Sequence, residues 1–202
     1  MTASIISTGE PFEFTPENLE WAKGQIAKYP EGRQASAVMP LLTRAQKQRG
    51  GWLCREALEY VGNMLDMPYI QVLEVATFYT MYNLKPVGRH VIEVCTTTPC
   101  WLRGSDEVVS ACKKALGIGF GETTEDGEFT LLEVECAGAC VNAPVLAYGE
   151  EYYEDLDADS TLRIIEALRK GDKPKAGPQI DRQTSAPLGG PTTLKSVAGG
   201  EG

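Results

Sequence analysis

The stretches "EVCTTTPC", residues 93–100, and "ECAGAC", residues 135–140, hold four of the six cysteines as two local pairs. Four residues separate Cys95 from Cys100, three separate Cys136 from Cys140, and 35 lie between the pairs. Thiols grouped in this way can close disulfides, hold zinc, cycle as a dithiol or bind an iron–sulfur cluster. A reducing compartment, the setting expected from the rest of the chain, disfavours disulfides. A thioredoxin-type dithiol uses C-x-x-C at a helix start, and neither pair has that spacing. Zinc takes four thiolates, usually on two-residue knuckles in a domain with little core of its own. The C-x4-C half matches the first spacing of plant-type ferredoxins; the C-x3-C half does not. Spacing and context favour a [2Fe–2S] cluster and leave structural zinc as the alternative.

The segments around the pairs must bring them together. "RHVIEVC" and "EFTLLEVEC" read as strands that each run into a cysteine loop, with "PVLAYG" as a third strand and "EEYYEDL" as a fourth. "SDEVVSACKKALG" reads as a helix capped by Ser105, with Asp106 and Glu107 at its positive end, Lys113 and Lys114 at its negative end, and Gly117 as its stop. "DSTLRIIEALRKG" is a closing amphipathic helix. If the first two strands are neighbours in one sheet, both loops leave the same edge and the four thiols converge. The order over residues 88–170 is a small thioredoxin-like α/β domain.

Upstream, residues 15–84 read as a bundle of about four short helices, preceded by an arm over 1–14. Thr15 is the expected N-cap of the first helix, Pro16 its first residue and Pro30 its end. Pro40 implies a kink or a late start in the second helix. The last helix is rich in aromatic residues, which suits docking on a partner. Residues 171–202 contain 7 glycines and 4 prolines, a composition that builds no core and suits an extended tail. The fold class expected is α+β: helical bundle, thioredoxin-like [2Fe–2S] domain, extended tail.

Charge narrows the partners. Net charge is −9, and residues 88–170 alone carry 16 acidic against 7 basic side chains. Nucleic acid and anionic membrane surfaces both want a basic patch, so neither is expected as a partner. No apolar run approaches the ~20 residues that span a bilayer, and the amino terminus has no secretory or mitochondrial targeting pattern.

Smaller details add to the site. "AGA" between Cys136 and Cys140 lets the backbone approach, with Gly138 free to take positive φ. Thr96, Thr97 and Thr98 can donate to sulfur or brace their loop, and Pro99 and Pro144 stiffen the two loops. Glu93, Glu133 and Glu135 disfavour addition of an electron, so a low reduction potential is expected. Cys112 falls on a helix face with Val108, Val109 and Leu116 and reads as core. Cys54 reads as core or interface, and the lone His90 as structural. No residue set suggests a catalytic site of the chain's own.

"VATFYTMYNLKPVGRHVIEVCTTTPCWLRGS" and "TLLEVECAGACVNAPV" strongly resemble the thioredoxin-like [2Fe–2S] subunit of NADH:quinone oxidoreductase, the 24-kDa type of respiratory complex I. The likeness extends from "FEFTPENL" into the "APLGGPTTL" tail. It implies that Cys95, Cys100, Cys136 and Cys140 hold one [2Fe–2S] cluster, the N1a type, within electron-transfer reach of FMN. NADH and FMN would bind to a partner flavoprotein subunit. The helical segment and the tail would dock on that subunit and on a large iron–sulfur subunit. The implied location is the cytoplasmic side of a bacterial inner membrane, peripheral to it, or the matrix side in a mitochondrion. Related subunits serve NAD-linked hydrogenases and formate dehydrogenases, and a zinc-stabilised, non-redox assembly module remains a further alternative.

Overall fold

The structure, a computed structural model, describes residues 5–190 and residue 193. The start of the arm and most of the tail beyond Gly190 lie outside the described residues. The chain divides into two compact units, Met1–Val87 and Gly88–Gly202.

The first unit is helical: α1 Pro16–Ile26, α2 Val38–Gln48, α3 Arg55–Leu65 and α4 Tyr69–Phe78. Thr15 caps α1 by accepting from the Asn18 N–H at 3.3 Å, and Pro16 takes the first position, where a missing N–H costs nothing. The helix ends at Ile26, short of the expected Pro30. Lys28 and Tyr29 already make tighter bonds, to Gln25 and Ile26, because a residue before proline avoids the helical region. Pro40 marks a late start: a 3₁₀ turn over Gln34–Ala37 leads into α2, and Pro40 lies in the first turn.

Leu41, Leu42 and Ala45 on α2 pack with Ala57, Leu58 and Val61 on α3, all fully buried. Cys54 joins this core, as expected. The arm adds Phe12 and Phe14, which meet Tyr60 edge-on at 5.5 and 5.4 Å. Glu56 holds the arm by accepting from the Ser7 and Thr8 hydroxyls and from the Thr8 and Gly9 N–H groups. Burial would raise the Glu56 carboxyl, but these bonds outweigh it and hold the group far below the usual range.

The second unit is a six-stranded mixed sheet in the order β2-β3-β1-β4-β5-β6. Its strands are β1 His90–Cys95, β2 Glu122–Thr123, β3 Phe129–Val134, β4 Leu146–Tyr148, β5 Glu151–Glu154 and β6 Gly177–Pro178. The four expected strands are present, and the observed class is α+β as expected. β1 is central, parallel to β3 and antiparallel to β4. A parallel pair needs a crossover, which α6, Ser105–Leu116, supplies. Alternation along β1 turns Ile92 and Val94 toward Val108 and Cys112 of α6 and toward Ile164 and Ile165 of α7, Ala158–Arg169.

One expectation needs correction here. Ser105 does not cap α6: Gly104 precedes the helix at φ +95°, and Ser105 is its first residue, fully buried. The acidic start, the lysine end and the Gly117 stop of α6 are as expected. Within the tail, Gly177–Pro178 is extended and adds to β5 as a parallel edge strand.

Candidate metal centre

Cys95 ends β1, and its register partner Val134 ends β3, two residues before Cys136. Because the two strands are parallel, both cysteine loops leave one edge of the sheet. The expected convergence therefore follows from strand pairing alone.

The first loop turns at once into a short helix, α5 Thr98–Leu102, which sequence reasoning missed. The signal was available: a threonine run followed by proline is a helix-start pattern. Thr97 stands at the cap position but makes no side-chain capping bond, and its hydroxyl lies 3.3 Å from Cys95 Sγ. Cys100 sits on α5 and is buried, as is Cys95. Val145 of the adjoining segment serves both: its carbonyl accepts from the Cys95 N–H at 3.1 Å, and its N–H points to Cys100 Sγ.

The second loop is open to solvent, and Cys136 and Cys140 are exposed. Gly138 takes φ +80°, the conformation expected of it, and its N–H donates to Cys136 Sγ. Cys140 begins a single 3₁₀ turn, Cys140–Asn142. The Ala137 N–H reaches across to Cys95 Sγ, and the Tyr152 hydroxyl donates to the Ala137 carbonyl at 2.8 Å.

The thiols fall into two pairs, and the outer pair is hydrogen-bonded. Cys136 Sγ and Cys140 Sγ are 3.3 Å apart. Burial alone would raise Cys95, but donors from Thr97, Ala137 and Cys100 bring it below the ordinary thiol value. Burial, helped by donation to Cys95, pushes Cys100 up to about 12. Cys136 is lowered by the Gly138 N–H and by Cys140, while donation to Cys136 raises Cys140. Each pair thus presents one thiolate-leaning sulfur and one proton that a metal would displace.

Among the described residues, no three His, Cys, Asp or Glu side chains gather tightly enough to hold a single ion. Two facing pairs of thiols, met by backbone N–H groups and a threonine hydroxyl, fit a centre with two irons, one at each pair.

The other candidates sit apart from the sulfurs. Thr96 donates to Glu133 at 2.6 Å and braces the two strand ends. Thr98 opens α5. Glu93 is half-buried, and burial raises its carboxyl. Cys112 is fully buried in the α6–α7 core, and burial pushes its thiol up to about 12. His90 is a buried structural residue, as expected: its Nδ1 lies 2.8 Å from the Tyr148 hydroxyl and its ring lies beside Phe129.

Two supporting residues went unrecognised in the sequence. Tyr152 was legible in part, since alternation in "EYYE" sends Tyr153 into the core and Tyr152 to the other face. Arg182, whose Nη1 donates to the Val141 carbonyl at 3.2 Å, carried no local signal.

Comparison with known proteins adds the lineage. Residues 22–169 match the model of the thioredoxin-like [2Fe–2S] ferredoxin family. A subunit of the NADH-quinone oxidoreductase of Rickettsia conorii is 58% identical over 158 residues, which cover 78% of this chain and 95% of the relative. The corresponding subunit of Rickettsia bellii is 56% identical over the same coverage. A crystal structure of an NAD+-reducing [NiFe]-hydrogenase aligns with a TM-score of 0.57 at 22% identity, covering 66% of this chain and 23% of that one; it shows the fold alone. On the family match and on relatives at 56–58% identity over nearly their full length, the chain belongs to the thioredoxin-like [2Fe–2S] ferredoxin family and, within it, to a lineage of NADH-quinone oxidoreductase subunits.

Proposed function

We propose that this chain is the electron-transfer subunit of an NADH:quinone oxidoreductase peripheral arm. In this reading it carries one [2Fe–2S] cluster of the N1a type and exchanges single electrons with the FMN of a partner flavoprotein subunit. The observation that carries the reading is the shared edge of β1 and β3, from which Cys95, Cys100, Cys136 and Cys140 face one another in pairs.

Cys95 and Cys100 would hold the inner iron, and Cys136 and Cys140 the outer one. When bound, such a centre takes up and releases one electron at a time. The protein's own part is to set sulfur basicity and limit water. The Thr97 hydroxyl and the N–H groups of Ala137, Gly138 and Val145 supply donors, and burial keeps the inner pair dry. The outer pair is open, which leaves a short route to a partner.

The rim supports docking there. Trp101 and Leu102, beside Cys100, and Val141, beside Cys140, are 56%, 71% and 62% exposed. Large apolar side chains left in water around a redox centre suit a face that another subunit covers. In the first unit, Phe78 is 76% exposed at the end of α4, which supports a second docking contact. The partners in this reading are the flavoprotein subunit that binds NADH and FMN and a large iron–sulfur subunit. Among the described residues no helix is long and apolar enough to cross a membrane, and the reading makes this subunit peripheral, on the cytoplasmic side of a bacterial inner membrane.

The test is iron, zinc and sulfide analysis of anaerobically purified protein, with low-temperature EPR after dithionite reduction. Two irons, two sulfides and a spin-half signal are expected. One zinc with no iron, persisting after reconstitution, would leave only a structural module. The flavin-bearing subunit that co-purifies separates a quinone-linked complex from a soluble dehydrogenase.

A further inference from the structure

We propose that Arg182 is a positioning residue for the cluster loop: through it the chain's own tail fixes Cys140. The inference rests on the reading of the four cysteines as ligands given above.

The 3₁₀ turn Cys140–Asn142 is pinned by its last two residues. The two N–H groups of Arg182 Nη1 are shared among the Val141 carbonyl at 3.2 Å, Asn142 Oδ1 at 2.9 Å and the Asp155 carboxylate oxygens at 3.0 and 3.1 Å. Arg182 Nε donates to the Ala186 carbonyl at 2.8 Å. The Arg182 and Asp155 side chains are only 10% and 6% exposed, so this is an enclosed ion pair rather than a surface one.

Asn142 is itself 1% exposed and spends its polar atoms in the same place. Its Nδ2 donates to the Thr184 carbonyl at 3.0 Å and to Glu154, and its own carbonyl accepts from the Asp155 N–H at 2.7 Å. The tail is held in turn by β6 on β5 and by the Gln179 N–H on the Glu154 carbonyl at 2.9 Å.

These bonds converge one and two residues after an exposed thiol, at the end of a loop whose glycine would otherwise let it move. A displacement of Cys140 would strip buried partners from Asn142 and Arg182, which costs more than an ordinary surface bond. The geometry also calls for a guanidinium. Two nitrogens of one planar head are used, Nη1 on the turn and Asp155 and Nε on Ala186, and a lysine ammonium offers only one.

The experiment compares full-length wild type with Arg182→Met and Arg182→Lys. The first readout, on reduced metal-free protein, is hydrogen exchange of amides 137–142 and the rate at which Cys140 reacts with a thiol reagent. The second, on cluster-loaded protein, is the EPR g-values and the rate of iron release to a chelator. In Arg182→Met we expect faster exchange confined to 137–142, faster Cys140 labelling, shifted g-values and iron release about tenfold faster, the low end of what losing a ligand's support costs. Arg182→Lys should fall between the two.

Unchanged g-values and unchanged exchange at 137–142 would overturn the proposal. So would a rise spread evenly over the whole second unit, which marks a merely structural residue. If Arg182→Met does not fold, Arg182→Lys decides by the same measurements. If wild type binds no iron, the cluster reading falls, while exchange and thiol labelling still decide whether Arg182 holds the loop.

Discussion

The Tyr152 hydroxyl donates to the Ala137 carbonyl at 2.8 Å, while the N–H of the same peptide segment reaches Cys95 Sγ. A residue on β5 thereby aims a donor on one cysteine loop at a sulfur on the other. Tyr152→Phe keeps the ring and removes this restraint. We expect the iron content to stay at two and the midpoint potential to fall, because a weaker donor stabilises the reduced cluster less. A loss of about 0.5 kcal/mol corresponds to about 20 mV for one electron. Potentiometric EPR titration checks it, and an unchanged midpoint would show that the Tyr152 bond does not reach the sulfur.

Ligands and core thiols should separate cleanly. Cys100→Ala removes a sulfur from the inner pair and should abolish the [2Fe–2S] spectrum. Cys112→Ala empties a fully buried core position between α6 and α7 and should leave the spectrum intact, at a stability cost of about 1 kcal/mol. Visible absorption and thermal melting read both. Loss of the cluster in Cys112→Ala would overturn the ligand assignment.

The potential itself should be low. Glu133 and Glu135 are exposed beside the outer pair, Glu93 is half-buried on the strand that ends in Cys95, and this unit holds most of the chain's negative charge. A midpoint below the Rieske range of about −150 to +300 mV is expected. Glu133→Gln combined with Glu135→Gln should raise it. A wild-type midpoint inside that range would contradict the reading.

His90 should titrate below its ordinary value. Burial lowers it first and Arg89 lowers it further, against a weaker upward pull from Glu128, whose Oε2 is 3.9 Å from Nε2. The folded protein therefore resists protonation that the unfolded chain accepts near pH 6.5. Its stabilising contribution is full above that pH and is lost as pH falls from about 6.5 through the folded value. NMR can follow the chain's one imidazole directly. A midpoint above 6.5 would mean that Glu128 dominates.

Much of this is legible in the sequence, for reasons that differ by residue. Thr15, Pro16 and Gly117 were legible because capping is local chemistry. Convergence of the cysteine pairs was legible because β1 alternates straight into Cys95 and the apolar run of β3 ends two residues before Cys136. Ser105 misled because a serine before an apolar run is also acceptable at a buried first helical position once a glycine supplies the turn. The short helix around Cys100 was missed because five residues give no periodicity to read. Arg182 could not be found at all: Asp155 and Asn142 lie 27 and 40 residues away, and a Gly/Pro-rich segment gives no hint of what it will touch.

The position of Arg182 also bears on the order in which the molecule can be finished. A growing chain that has reached Cys140 already contains all four site cysteines, yet β4, β5 and the tail segment that closes on Asn142 are still to be made. Non-local pairing has to wait for its partner strands. The turn that begins at Cys140 therefore gains its Arg182 and Thr184 contacts only after some forty further residues have been synthesised, so its support is the last part of this sheet edge to be completed.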